Sequence, residues 1–182
     1  MDIAVTAAVA LVFVGLMVLI WAVAKLNRFK VLRVKVDEAE SGIDVALTKR
    51  YDTLTKMLDV VRAYTRHEYG LFAQIVNLRR GMSIAEKTEA SQRMDDMSLK
   101  IAAVAENYPQ LRSSENYMKL KDAIRDTEEH LQAARRVFNM NVSKYNQAIV
   151  VFPASIVAGK THTARDFFEA EDHKRGDVQM SF

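Results

Sequence analysis

The chain begins with an apolar run that holds no charged residue. Residues 3–24 consist of apolar and small side chains, with Thr6 as the single hydroxyl. A helix rises about 1.5 Å per residue, so the run spans roughly 33 Å and is long enough to cross a hydrocarbon core of about 30 Å. No helical face of the run is polar, which argues against a core helix of a soluble domain. The pattern predicts a transmembrane anchor within residues 1–24.

A cleaved signal peptide is the main alternative for this segment. Ala22-Val23-Ala24 resembles a small-residue cleavage site, but Asp2 stands where a signal peptide carries positive charge. The apolar run is also longer than the usual stretch of about 7–15 residues. Both features favour an uncleaved anchor.

A basic juxtamembrane segment, residues 25–35, follows the anchor. It contains no carboxylate and five cations, namely Lys25, Arg28, Lys30, Arg33 and Lys35. Excess Lys and Arg beside a transmembrane helix stays on the cytoplasmic side, so we expect an outside N-terminus and a cytoplasmic remainder. Trp21 lies near the same boundary, where amphipathic aromatic rings are enriched. We predict that these six residues form the membrane interface.

The basic segment also explains the net charge of the chain. Five of the 26 Lys and Arg residues lie in it, which leaves 21 against 22 Asp and Glu in residues 36–182. Because the positive charge is juxtamembrane, nucleic acid is not expected as a partner. The cations either set the topology and reach the lipid–water interface, or bind anionic lipid headgroups. The first interpretation is the simpler one.

Helical periodicity continues through the rest of the chain. Apolar residues recur at steps of three and four over residues 36–80, 83–108 and 113–152. The first apolar stripe includes Ile43, Leu47, Tyr51, Leu54, Leu58 and Val61, and the third ends at Phe152. Ser83-Ile84-Ala85-Glu86 fits a capping box at the start of the second helix. Pro109 and Pro153 are expected to end the second and third helices.

The fold class predicted from these patterns is all-α. Three long helices and a short helix over residues 163–170 are expected to pack as an antiparallel four-helix bundle. No breaker separates the anchor from the first long helix, so one helix is expected to continue to about Arg80. The bundle domain is assigned to residues 36–170, and residues 171–182 are expected to form a flexible tail.

Several polar residues occupy the apolar stripes. Glu68 lies on the first stripe, and we expect it to pair with Arg135 or Arg136 of the third helix. Asn141 lies on the third stripe, where a polar residue fixes helix register. Structural roles of this kind account for these residues without any chemistry.

Signals for catalysis and metal binding are weak. The chain has no cysteine, which excludes disulfides and thiolate ligands. His67 and Glu68 are adjacent and point about 100° apart on a helix, and Glu169 with His173 lies in a polar tail. No Glu-x-x-His motif of a di-iron bundle occurs in the sequence. We therefore predict no enzymatic activity, no cofactor and no metal.

Two stretches resemble the LemA family of membrane-anchored helical-bundle proteins. The first is Ile43–Leu54 followed by Tyr64-Thr65-Arg66-His67-Glu68. The second begins at Tyr108-Pro109-Gln110-Leu111 and continues through Phe138-Asn139, Tyr145-Asn146, Phe152-Pro153 and Phe167-Phe168-Glu169. Thr55-Lys56-Met57-Leu58 replaces the family's Ile-Pro-Asn-Leu, so this helix is expected to run straighter. The family's Gly-Phe after Phe-Pro is also missing.

The resemblance implies a bacterial helical bundle on a membrane anchor, and the charge argument above leads us to expect the cytoplasmic (inner) membrane with the bundle in the cytoplasm. The family's biochemical role is poorly defined; one relative takes part in magnetosome membrane formation, and some members are lipoproteins outside the cytoplasm. Long striped helices often self-associate. We expect a non-enzymatic scaffold that forms homo-oligomers on the lipid bilayer. A membrane-tethered adaptor for one soluble protein and a metal-binding bundle enzyme are the alternatives.

Overall fold

The computed structural model describes residues 3–65, 78, 81–159 and 161–168. Within these ranges it contains no strand and five helices, namely α1 (Ile3–Tyr64), α2 (Ile84–Glu106), α3 (Pro109–Arg112), α4 (Glu115–Val150) and α5 (Ala154–Ala158). The predicted all-α fold is confirmed. The chain divides into two compact units, which are described in turn.

Helix α1 carries both the apolar run and the first part of the bundle. It is 62 residues long, which corresponds to about 93 Å. It ends at Tyr64, so the predicted continuation to Arg80 is wrong. The backbone N–H and the hydroxyl of Thr65 both donate to the Val61 carbonyl oxygen, at 3.1 and 3.0 Å. Val61 is the last fully buried apolar residue of α1, and polar Thr65 takes the next stripe position.

The N-terminal part of α1 is apolar and exposed. In the part of the chain that the structure describes, α1 is the one helix long and apolar enough to cross a membrane. The most apolar stretch of 18 residues in this helix has a mean hydropathy of 2.7, and none of its residues is buried. Exposed side chains of this kind are stable in a hydrocarbon layer and not in water. The helix therefore supports membrane association.

The first unit consists of Met1–Ala39 and Met140–Asp166. It contains the first part of α1, the end of α4 and α5. Phe29 is fully buried and packs edge-on against the His162 ring, with centroids 5.2 Å apart. Its other buried apolar residues are Val36, Val142, Tyr145, Ile149, Ala154 and Ala158.

Residues 163–168 are not helical, so the short helix predicted at 163–170 is wrong over its described part. Side-chain amides of α4 hold this backbone instead. In the first unit, Asn146 accepts from the Arg165 N–H and donates to the Arg165 carbonyl, both at 2.9 Å. In the second unit, Asn139 binds the N–H and carbonyl of Phe168 in the same way, at 2.8 and 2.9 Å. These bonds replace the backbone hydrogen bonds that a helix would have made.

The second unit consists of Glu40–Asn139 and Phe167–Phe182. Its core is built from one stripe on each of α1, α2 and α4. The largest fully buried side chains include Ile43, Leu47, Leu54, Met57, Met94, Leu131 and Phe138. Because the stripes of three long helices meet here, this unit is the bundle that the periodicity predicted.

Ion pairs within the second unit define the helix directions. Lys87 of α2 binds Glu40 and Asp44 of α1, and Asp95 of α2 binds Arg50 of α1. Rising residue numbers on α1 therefore match rising numbers on α2, and the two helices run in the same direction. Between α2 and α4 the order is reversed. Ser91 of α2 binds Arg135 of α4, whereas the later residue Asp95 of α2 meets the earlier residue Glu128 of α4 at Arg50. The expected antiparallel packing thus holds for α4 but not between α1 and α2.

Helix α2 begins where the capping box predicted. The Glu86 backbone N–H donates to Ser83 Oγ at 3.2 Å, and the Ser83 N–H donates to Glu86 Oε2 at 2.7 Å. Gly81, just before the cap, has φ +78°, a conformation that glycine adopts without steric cost. The start of α4 at Glu115 also matches the prediction.

Candidate functional site

The predicted membrane-interface residues all lie on α1, with Trp21 near the end of the apolar run and the five cations just after it. Trp21 is half-buried, and Lys25 Nζ lies 5.8 Å from the centroid of its ring. At that distance the cation is attracted to the electron-rich ring face. Arg28, Lys30, Arg33 and Lys35 are exposed. Exposed cations at this position on the helix can reach lipid phosphates.

The bundle contains a buried charge network centred on Arg50. Arg50 is 3% exposed, and its guanidinium joins all three long helices of the second unit. It forms ion pairs with Asp95 of α2 and with Glu128 of α4, the latter at 2.8 Å, and donates to Ser91 Oγ at 3.3 Å. This packing of the three helices brings two carboxylates to the buried cation and so neutralises it.

The predicted ion-pair residues lie around this network. Arg135 donates to Ser91 Oγ, and its guanidinium carbon lies 4.6 Å from the centroid of the Phe168 ring. Arg136 is exposed and Asn141 is half-buried. Glu68 lies outside the described residues, so its pairing with Arg135 or Arg136 stays a prediction.

Arg50 and Lys87 were not among the predicted site residues, although the sequence carried a signal for both. From Ile43 onward, α1 buries Ile43, Leu47, Arg50, Leu54, Met57 and Val61 at alternating steps of four and three, together with Ala46 beside Leu47. Arg50 therefore occupies a stripe position, and Tyr51, which had been placed on the stripe, is half-buried. Lys87 likewise begins the buried series Lys87, Ala90, Met94, Met97, Ile101 and Val104 of α2. A cation in register with an apolar stripe indicates a buried ion pair.

Lys87 forms the second ion cluster of the bundle. Its ammonium lies 2.9 Å from Glu40 Oε1 and 2.7 Å from Asp44 Oδ1, and its side chain is 4% exposed. Burial by itself lowers the pKa of Lys87, but the hydrogen bonds to Asp44 and Glu40 outweigh it, so the net effect is a raised pKa. The folded state therefore holds this proton more tightly than the unfolded chain does.

This raised pKa predicts a stability contribution that depends on pH. Below the unfolded lysine pKa of about 10.4 the contribution is complete, and it is lost as pH rises through the higher folded pKa. We expect Lys87→Met to destabilise the full chain by about 1–3 kcal/mol between pH 7 and 10. Circular dichroism melts in detergent should show this difference shrinking above pH 10.5.

The comparison with Lys87→Met is needed because another group titrates in the same range. Burial raises the pKa of Tyr117, so ionisation of its phenol also destabilises the fold at high pH. This loss is common to both proteins and cancels in their difference. A difference that stays constant up to pH 12 would contradict the role assigned to Lys87.

The described residues offer little for chemistry beyond these ion pairs. They contain no group of three or more His, Asp or Glu residues arranged to hold a metal. Asp95 and Glu128 both face the Arg50 guanidinium, which supplies the positive charge between them. His67, Glu169 and His173 lie outside the described ranges.

The part of the chain that contains the bundle matches a known protein family. A family model described as "LemA family" matches residues 39–182. The chain belongs to the LemA family. Among the relatives, "Protein LemA" of Metamycoplasma hominis is 28% identical over 153 residues, which covers 81% of this chain and 70% of that protein. The resemblance seen in the sequence is confirmed.

The family match covers the bundle and not the anchor. It begins at Ala39, so Arg50, Lys87 and the paired asparagines Asn139 and Asn146 lie within it. Residues 3–24 lie outside it, and the argument for the anchor comes from the length and apolarity of α1. Together the two observations describe a membrane-associated protein with a LemA-family helical domain.

Proposed function

We propose that the protein is a non-enzymatic, single-pass membrane scaffold whose bundle self-assembles at the cytoplasmic face of a bacterial inner membrane. The observation that carries the proposal is the continuity of α1. One uninterrupted helix holds the exposed apolar run and also supplies Ile43, Leu47 and Leu54 to the buried core of the second unit. Because the anchor and the bundle core share this helix, the bundle is held at the bilayer, where it can bind other copies of the protein.

The character of the bundle supports a scaffold over an enzyme. Its buried charges pair with one another, as Arg50 does with Asp95 and Glu128. Large apolar side chains also lie on its surface, with Leu99 of α2 68% exposed and Val137 of α4 47% exposed. Contacts between copies would remove such side chains from water.

The proposed orientation rests on charge. Five cations follow the apolar run, whereas Asp2 is the single charged side chain before it. Lys and Arg near a membrane-spanning helix are retained in the cytoplasm. This charge asymmetry supports a bundle on the cytoplasmic side.

A single-cysteine variant tests orientation and assembly together, since the chain has no cysteine of its own. For Val45→Cys we expect no reaction with a membrane-impermeant maleimide in intact cells and full reaction after lysis. Asp2→Cys, the control, should react in intact cells. Light scattering on the detergent-solubilised variant should give a multiple of the 20.6 kDa chain mass.

The outcomes separate the proposal from its alternatives. Labelling of Cys at position 45 in intact cells contradicts the orientation, and a monomer at micromolar concentration contradicts self-assembly. A photo-cross-linker on the same thiol identifies the neighbour. Recovery of one different protein in stoichiometric yield indicates an adaptor, and a stoichiometric metal in elemental analysis indicates a metal-binding enzyme.

A further inference from the structure

The first unit contains a groove that the proposed function does not use. It has a volume of about 470 Å³ and lies between α1 and the corner where α4 meets α5. We call residues 150–156 the α4–α5 corner. Its lining includes Lys25, Arg28 and Leu32 of α1, Lys144 of α4, and Val151 and Phe152 of the corner.

The polar part of the groove is positively charged. Lys25, Arg28 and Lys144 line it, and none of its lining residues, all of them in the described part of the chain, is Asp or Glu. Three cations around one opening repel each other unless an anion lies between them. The charge pattern therefore favours an anionic ligand such as a phosphate group.

The rest of the groove is apolar. Phe29, which is fully buried, and Leu32 form one wall, and Phe152 with Val151 forms the other. A small hydrophilic anion would leave these walls uncovered. A ligand that joins a phosphate to hydrocarbon chains would satisfy the cations and the apolar walls at once.

The α4–α5 corner exposes an unusual amount of apolar surface. Val150, Val151, Phe152 and Ile156 are 68, 60, 75 and 72% exposed. Phe152 had been expected on the buried stripe of the third helix, but α4 ends at Val150, which leaves Phe152 outside the core. Exposed apolar side chains clustered on one corner are typical of a surface that meets lipid.

The position of the groove along α1 places it at the membrane surface. Lys25 is the first charged residue after the apolar run, and Phe29 lies about 6 Å further along the helix. The headgroup layer on each side of a bilayer is about 5–8 Å thick. Since the α4–α5 corner shares the groove with these α1 residues, it lies at the same depth in the first unit.

We propose that this groove binds one anionic phospholipid of the membrane that α1 spans. Lys25, Arg28 and Lys144 hold the phosphate, an acyl chain lies against Leu32 and Phe152, and the α4–α5 corner enters the lipid–water interface. The proposal depends on α1 as a membrane anchor and not on self-assembly. The cations of α1 then have two separate roles. Lys25 and Arg28 line the groove and bind the lipid, whereas Lys30, Arg33 and Lys35 do not line it and set the topology.

Native mass spectrometry of the full chain, titrated with dioleoylphosphatidylglycerol in neutral detergent, tests the groove. We expect one tightly held lipid and a roughly 100-fold weaker affinity in the variant K25Q/R28Q/K144Q, because each cation near an anionic lipid contributes about a factor of five. The variant K30Q/R33Q/K35Q removes the same charge outside the groove and should retain the lipid. Equal losses in the two variants would overturn the proposal and indicate general attraction by the basic segment.

Two further ligands identify the chemistry that is recognised. Dioleoylphosphatidylcholine, which carries no net charge, should bind at least tenfold more weakly than the phosphatidylglycerol. Inorganic phosphate, which has no acyl chain, should not compete at millimolar concentration. Competition by phosphate as strong as that of the lipid would show that the apolar walls play no part and would contradict a lipid site.

Fluorescence tests the depth of the corner independently. The chain has one tryptophan, so Trp21→Phe combined with Phe152→Trp leaves a single reporter on the corner. In vesicles that contain brominated phospholipid we expect strong quenching of this reporter. The control combines Trp21→Phe with Val34→Trp, so its single tryptophan lies about 13 Å beyond Lys25 on α1. This tryptophan should be quenched little. Equal, weak quenching at both positions would place the corner in water and contradict the proposal.

Discussion

Replacing Arg50 with methionine is expected to destabilise the folded chain by about 3–5 kcal/mol. The substitution removes the cation from a site that is 3% exposed and leaves the carboxylates of Asp95 and Glu128 facing each other. Removing the cation of a buried ion pair costs this much because the two carboxylates then repel each other with no guanidinium between them. For a chain of this size the unfolding midpoint should fall by on the order of 10 °C, measured by circular dichroism at 222 nm in detergent.

Two matched variants show that the effect arises from the network. Arg93→Met removes an exposed cation whose partner Glu89 is also exposed, and it should cost less than about 0.5 kcal/mol. Combining Arg50→Met with Asp95→Asn and Glu128→Gln removes the whole charge set and should recover at least half of the loss. If Arg50→Met melts within 1 °C of the unmodified chain, the network does not stabilise the bundle.

Placing two arginines in the apolar run is expected to abolish membrane insertion. Val12 and Leu16 lie near the centre of the run and are 64 and 52% exposed on α1. An arginine at the centre of a membrane-spanning helix costs about 2.5–3.5 kcal/mol, so the variant V12R/L16R loses about 5–7 kcal/mol of insertion free energy. This cost offsets most of what the apolar residues of one span contribute. The protein should move from the carbonate-resistant membrane pellet to the soluble fraction.

The control places the same charges outside the run. Val31 and Val34 are 55 and 54% exposed on the same helix, within the basic segment. The variant V31R/V34R should remain in the membrane pellet, since arginine there meets headgroups and water. If V12R/L16R stays in the pellet as well, residues 3–24 are not the anchor, and the bundle binds the membrane by another part of its surface.

Features that depend on near neighbours in the chain were predictable. The capping box at Ser83 and Glu86 is written in four consecutive residues, and the structure forms both of its hydrogen bonds. The apolar run and the stripe from Met94 to Val104 follow helical spacing, so helix and buried face could be read directly. The family resemblance rested on local motifs of the same kind and was confirmed over residues 39–182.

Features that depend on what lies across the bundle were not predictable. A lysine or arginine in a helical stretch is usually on the solvated face, and nothing near Arg50 in the chain shows that Asp95 and Glu128 lie opposite it. The pairing of Asn139 and Asn146 with the backbone of Phe168 and Arg165 joins positions 29 and 19 residues apart. For this reason residues 163–168 were expected to be helical and are instead held by side-chain amides.

The sequence by itself determined that this protein is helical, that one helix can cross a membrane, and where the cations follow that helix. These properties come from periodicity, length and local charge, which need no knowledge of the fold. Only the tertiary structure decided that α1 and α2 run in the same direction, and that Arg50 and Lys87 lie within the core. It also brought Lys144 and the α4–α5 corner to Lys25 and Arg28. The reason is physical: these outcomes depend on which faces meet when helices distant in sequence pack together.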